Sequence, residues 1–155
     1  MIIRGRTLHP GSASGAAIRL TAPLSFWGGT DADGRIVDAH HPQCGAVLTG
    51  RVLLMESGRG SSSASSVLAE QIRARTAPAA IILARPDPII PLGALIADEL
   101  YHHSIPIVVA PYDGLPPDGL LRVDARIAGA TIHWQTHEYG GGREQHRTPG
   151  EGEGE

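Results

Sequence analysis

The strongest constraint on this chain is the alternation of two hydrophobic patterns across residues 51–110. Three short apolar runs, RVLLM at 51–55, AIILA at 80–84 and IPIVVA at 105–110, are separated by two stretches of helical spacing. Runs so continuously apolar suit strands buried on both faces. Ala64, Val67, Leu68 and Ile72 recur at i, i+3, i+4 and i+8, which predicts an amphipathic helix ending near Arg75. Arg73 and Arg75 suit the negative end of that helix, and Pro78 blocks its continuation. Leu92, Leu95, Ile96 and Leu100 predict a second helix that ends near His102 and His103. Strand–helix–strand–helix–strand implies parallel pairing through right-handed crossovers.

The flanking segments read as β structure. Residues 2–8 and 16–21 are expected to be strands around a Pro-Gly-Ser turn region at 9–15. Residues 24–29 (LSFWGG) read as a further β segment, with a tight turn at Asp33-Gly34 and a short strand at 36–38. Residues 39–50 read as a loop, and 121–124 and 130–135 as closing strands. The sum is an α/β domain with mixed sheets in a layered β/β/α arrangement over residues 1–139. From Gly140 the chain reads GGGREQHRTPGEGEGE, with no large apolar residue to offset ordering entropy. Residues 140–155 are therefore expected to be a disordered tail. Aromatics make up only 4% of the chain, so the core must be built from Ile, Leu, Val and Ala.

Composition excludes several chemistries. No apolar run approaches the roughly 18–20 residues of a spanning helix, and the N-terminal MIIRGRTLHPG lacks the apolar stretch of a signal peptide. No membrane partner is expected. The single cysteine, Cys44, permits no internal disulfide, which reads as cytoplasmic. One thiol cannot by itself hold a structural zinc or an iron–sulfur cluster. A net charge of −3 argues against a nucleic-acid partner. There is no lysine, so neither a P-loop nor Schiff-base catalysis is available.

The sharpest local feature is Ser57-Gly58-Arg59-Gly60-Ser61-Ser62-Ser63-Ala64-Ser65-Ser66, between a buried strand and an amphipathic helix. Ligands in open α/β sheets bind at the carboxyl ends of strands, where this turn lies. Gly58 and Gly60 permit positive φ or close approach of a ligand. Ser62 or Ser63 is expected to cap the helix. Ser61, one residue earlier, would face the free N–H groups and the dipole of the helix start. Those groups and Arg59 would stabilise either a serine alkoxide or a bound carboxylate or phosphate. A serine-rich cap with nothing bound is the competing reading, and motif shape alone does not separate the two. A nucleophile elbow fits worse, because no Gly stands two residues after Ser61.

Other polar residues weigh less. Phe26-Trp27-Gly28-Gly29 sets aromatics beside a glycine turn, as pockets and subunit interfaces do, though core packing also uses such pairs. Asp31, Asp38, His40 and His41 cluster in sequence, but solvated loop residues are the commoner use of such spacing; no metal ligand is assigned. His102 and His103 read as structural at a helix end. His133 and His137, four apart on a strand-like segment, do not share a helical face, so no metal pair is assigned to them. Cys44 reads as a small, partly buried residue. Asp87 and Asp98 read as polar contacts to a partner or substrate.

GRGSSSASSVLAEQIR, preceded by RVLLM and followed by TAPAAIIL, resembles the small subunit, or swivel domain, of the aconitase X group. LSFWGGTDADGRIVDAHHPQCGAVLTGRVL resembles that group's N-terminal half, so the likeness runs from about Arg4 to about Asp124. The resemblance implies the swivelling β/β/α fold. It implies a dehydratase completed by a large catalytic subunit, which carries the iron–sulfur cluster and its open iron; this chain would bind no cofactor alone. It implies that Ser61, as alkoxide, removes a proton from a small hydroxy acid. Arg59, Gly60, Ser62, Ser63, Trp27, Gly28 and Gly29 would line the substrate site. The group's substrates are cis-3-hydroxy-L-proline and mevalonate 5-phosphate, and the G-R-G-S-S-S form resembles the bacterial, hydroxyproline-type branch. Aconitase itself carries an Arg shortly after its serine, where this chain has Ser63 and Ala64. Arg59, the neighbouring hydroxyls or the partner must then hold the substrate anion. A non-catalytic anion-binding or purely structural subunit is the reading of a different class.

Overall fold

The computed structural model describes residues 1–136. Seven strands close into a barrel in the order β1-β5-β4-β3-β2-β6-β7. They are β1 (Ile2–His9), β2 (Gly11–Arg19), β3 (Val52–Met55), β4 (Ala80–Leu83), β5 (Ile107–Val109), β6 (Leu120–Arg126) and β7 (Gly129–Trp134). The expected parallel unit is present: β2, β3, β4 and β5 pair in parallel. On the other side β1, β7, β6 and β2 pair antiparallel, and β1 closes antiparallel on β5. Helices α2 (Ala64–Ala74) and α3 (Ile89–Tyr101) complete the third layer. This is the expected mixed α/β, β/β/α architecture, with the two sheets joined at both edges.

The continuously apolar strands follow from burial on two sides. Leu53, Met55, Ile81, Leu83 and Ile107 pack toward the helices with Leu68, Ile72, Ile90 and Ala94. Their neighbours Val52, Leu54, Ala80, Ile82 and Val108 fill the barrel with Leu121, Val123 and Ile132. In β6 and β7, where one face is less covered, buried positions alternate with exposed or half-buried ones. The α2 pattern ends where predicted: Arg75 adopts a left-handed conformation at φ 62° and closes the helix on the carbonyls of Gln71 and Ile72. Its partner α3 begins earlier than its leucine pattern shows, with Pro91 in the first turn, where a missing N–H costs nothing.

Three expectations are corrected. Residues 11–15, read as a turn, are the first half of β2, paired from Gly11↔Ala125 to Gly15↔Leu121. Gly, Ser and Ala there have weak strand preference, and pairing with a distant strand overrides it. LSFWGG is not a strand. Leu24 makes one bridge to Gly58, and Phe26–Gly29 forms a single irregular helical turn, α1, broken by Trp27 and Gly28. Residues 36–38 form no strand: Ile36 makes one isolated bridge to Thr30, next to the bridge Arg35↔Val47.

Candidate active site

The barrel's parallel strands all run toward one end, and the loops that follow them gather there. After β3 comes the serine turn, and after β2 the segment that leads through Leu24 to α1. The two meet. Leu24 and Gly58 form a parallel bridge, and the Arg59 N–H donates to the Leu24 carbonyl at 3.2 Å. Gly60 has φ 95°, and a Cβ there would lie 2.6 Å from Ser25 Oγ. Glycine is thus required by both backbone and space. Gly58 needs no unusual φ; what it permits is the approach of Asp87 Oδ2, 2.8 Å from where its Cβ would be. The glycines therefore seat the turn against Ser25 and Asp87.

Ser61 is exposed, and its Oγ accepts the Ser63 N–H at 3.1 Å. The expected cap by Ser62 or Ser63 is corrected: Ser63 occupies the cap position without a side-chain cap bond, and the hydroxyl that performs capping is that of Ser61. The reason is backbone conformation, since Ser63 is already helical at φ −60° and ψ −18°. Ser61 and Ser62 carbonyls accept from Ala64 and Ser65, which winds the turn into α2. The Ser61 oxygen consequently sits on the helix N-terminus with an N–H aimed at it. A bond of this kind strengthens when its acceptor becomes an anion.

The remaining site residues divide. Arg59 and Gly60 line a cleft of about 120 Å³ together with Leu24, Phe26, Gly58, Ala64, Asp87, Ile89 and Ile90. Ser62 and Ser63 are exposed beside Ser61. Trp27 is 57% exposed, unusual for so large an apolar ring, and Gly28, at φ 75°, has open space around it. Gly29 is turned inward and buried against Leu24, which places it beneath the rim.

The turn that carries Trp27 is anchored to α2 from below. Buried Gln71 donates from Nε2 to Thr30 Oγ1 at 2.8 Å and to the Asp31 carbonyl at 3.1 Å, and Thr30 in turn donates to the Phe26 carbonyl. Neither Ser25 nor Gln71 stood out in the sequence, where each is one polar residue among many. A second crevice of about 470 Å³ opens at the same strand ends, lined by Leu20, Thr21, Ala22, Glu56, Ala84, Pro111, Tyr112 and Asp113. Burial pushes the Tyr112 phenol above its ordinary range; Arg19 opposes the rise, and Glu56 and Asp113 reinforce it.

The other candidates serve local structure. Asp31 Oδ1 accepts from the Asp33 and Arg35 N–H groups, and Asp38 Oδ1 from that of His40. His41 is buried between the Ala22 carbonyl and the Gln43 N–H. His102 ends α3 in a left-handed conformation. Asp98 lies 3.6 Å from the ring of buried His9. Cys44 is exposed, which corrects the partly buried expectation; it stands in a turn where only a weak bond to the Ile36 carbonyl engages its sulfur. Among the described residues no three His, Cys, Asp or Glu side chains converge as a metal site. No helix of theirs is long and apolar enough to cross a membrane. His137 and the segment 140–155 lie outside the described residues.

A two-sheet barrel with one helical layer, presenting a Gly-Arg-Gly-Ser turn at the carboxyl ends of its parallel strands, defines a swivel-type domain. Residues 2–127 match the family model of the aconitase X swivel domain, and the chain belongs to that family. It is 50% identical over 107 residues to a cis-3-hydroxy-L-proline dehydratase of Pseudomonas aeruginosa, covering 68% of this chain and 18% of that protein. The chain thus spans under a fifth of that relative's length. It is 40% identical over 125 residues to the phosphomevalonate dehydratase small subunit of Methanothermobacter thermautotrophicus, covering 77% of this chain and 91% of the other. Among solved structures, aconitase X of Thermococcus kodakaraensis in its holo-form matches with a TM-score of 0.75 and 32% identity, over 86% of this chain and 99% of that one.

Proposed function

We propose that this domain is the swivel subunit of a hydro-lyase and that Ser61 is its proton-abstracting base. The observation that carries the reading is the placement of Ser61 Oγ, exposed at the strand ends and bonded to the N–H of Ser63 at the start of α2. A hydrogen bond to a charged group contributes roughly 1.5–3 kcal/mol, and a helix N-terminus about 0.3–2 kcal/mol. Together they lower the serine pKa by about one to four units, at about 1.4 kcal/mol per unit. That is too little to ionise a solvated serine near neutral pH. The rest must come from further positive charge brought by a second polypeptide closing over the turn, whose pull on the alkoxide strengthens as water is excluded. The exposed Trp27 beside the turn suits the rim of such a contact.

In this reading the partner is a large catalytic subunit. Any iron–sulfur cluster belongs to it, because Cys44 stands alone in this chain and far in sequence from the serine turn. This chain's part is to hold the substrate and move its proton. Ser61 takes the proton from the carbon next to the one bearing the hydroxyl, and Arg59, with the hydroxyls of Ser62 and Ser63, holds the carboxylate. The substrate is cis-3-hydroxy-L-proline, supported by 50% identity to the Pseudomonas dehydratase and by the G-R-G-S-S-S form of the turn. Mevalonate 5-phosphate is the second candidate, supported by the archaeal small subunit matched over 91% of its length.

The test is a co-expressed pair of this chain and its large subunit, offered both substrates, with loss of water followed directly. Dehydration of cis-3-hydroxy-L-proline is expected, with no turnover by this chain alone. Full activity of the large subunit by itself would refute the role given to this domain.

A further inference from the structure

The cleft beside the serine turn holds one charged group to which the mechanism above gives no part. Its walls include Leu24, Phe26, Ile89 and Ile90, and among the described residues its charged side chains are Arg59 and Asp87. Asp87 Oδ1 accepts the N–H groups of Ile89 at 2.8 Å and Ile90 at 3.2 Å, and so caps α3. None of the described residues donates a hydrogen bond to Oδ2, which lies over Gly58 in the turn itself. One oxygen of the carboxylate is engaged by the helix. The other stands in a largely apolar cleft, at the foot of the loop that carries Ser61.

We propose that Asp87 Oδ2 receives the amine cation of the substrate and so selects an amino acid over a phosphate ester. The inference deepens the dehydratase reading and rests on it. In a 3-hydroxy amino acid the nitrogen is bonded to the same carbon that loses its proton. A group that binds the nitrogen must therefore sit next to the base. Asp87 suits that condition, since residues that flank Ser61 in the chain line its cleft, Gly58, Arg59 and Gly60 before it and Ala64 after it. A carboxylate among apolar walls favours a cationic donor strongly and repels added negative charge. Mevalonate 5-phosphate offers no cation, only hydroxyl, carboxylate and phosphate groups. Arg59 on the same cleft is free to serve the carboxylate that both substrates share.

Asp87→Asn tests this, because the amide oxygen still caps α3 while the charge is gone. In the co-expressed pair, KM for cis-3-hydroxy-L-proline should rise about tenfold or more, with kcat changed less than about threefold. The melting temperature should stay within a few degrees of wild type. Asp87→Ser, also neutral and also able to cap, should show the same rise, which separates lost charge from local misfolding. An unchanged KM in either folded variant overturns the assignment while leaving the role of Ser61 standing. So does a wild-type pair that dehydrates mevalonate 5-phosphate and ignores the amino acid. A wild-type pair that dehydrates neither compound brings down the hydro-lyase reading, and this proposal with it.

Discussion

Replacing Ser61 by alanine separates two jobs that the structure gives to one hydroxyl. As a cap, the hydroxyl accepts the Ser63 N–H at 3.1 Å. Losing such a bond costs about 0.5–2 kcal/mol of stability, and each kcal/mol lowers the melting temperature of a domain this size by about 2–4 °C. As a base, it accounts for roughly 10²–10⁴-fold in rate, or about 3–5 kcal/mol of barrier. The cap cannot mimic the base. Even a domain stable by only about 5 kcal/mol keeps more than about 99% of its molecules folded after losing 2. The assay is turnover of the purified pair at saturating substrate, with assembly checked by gel filtration and stability by thermal melts. Ser61→Ala should assemble, melt a few degrees lower and turn over at least a hundredfold more slowly. Ser61→Thr keeps the hydroxyl and should retain both stability and measurable turnover. An intact Ser61→Ala pair within about threefold of wild type would refute the base assignment and leave Ser61 as a helix cap.

Three further outcomes follow from the geometry. Gly60→Ala places a Cβ 2.6 Å from Ser25 Oγ at φ 95°; it should cost about 1–3 kcal/mol in a urea melt and slow turnover by displacing the serine turn. Gln71→Leu removes both bonds that tie α2 to Thr30 and Asp31 and strands buried acceptors. It should destabilise the domain by about 1–3 kcal/mol and speed hydrogen exchange in residues 26–31 more than in the barrel strands. Arg122, and then Ser12, hold the Asp124 carboxyl below the ordinary carboxylate range. A depressed folded-state pKa contributes stability that is present above the unfolded value, near 3.9 for Asp, and is lost as pH falls through the folded value. Asp124→Asn should therefore flatten the stability profile at its acid end, below about pH 4, and leave the slope near neutral pH unchanged in urea melts across the range.

Much of the helical layer was legible because its information is local. The α2 stripe of Ala64, Leu68 and Ile72, the stop at Arg75 and the three apolar strand runs are all read within a few residues of one another. The serine turn was legible for the same reason, as a glycine-rich segment between a strand pattern and a helix pattern. Which serine caps the helix was not legible. That depends on Ser63 entering the helical conformation one residue before its side chain would be needed. Nor was the strand identity of residues 11–15, because Gly-Ser-Ala-Ser-Gly has no strand preference until β6, over a hundred residues later, supplies its hydrogen bonds.

The amino-acid order alone determined the class of domain, the position of its turn and the family likeness, since periodicity and motif spacing survive without coordinates. Barrel closure, the seating of Gly60 on Ser25 and of Gly58 under Asp87, and the Gln71 anchor were decided by the tertiary structure. Each is a contact between segments distant in the chain, and a pairwise contact of that kind leaves no trace in either segment read by itself.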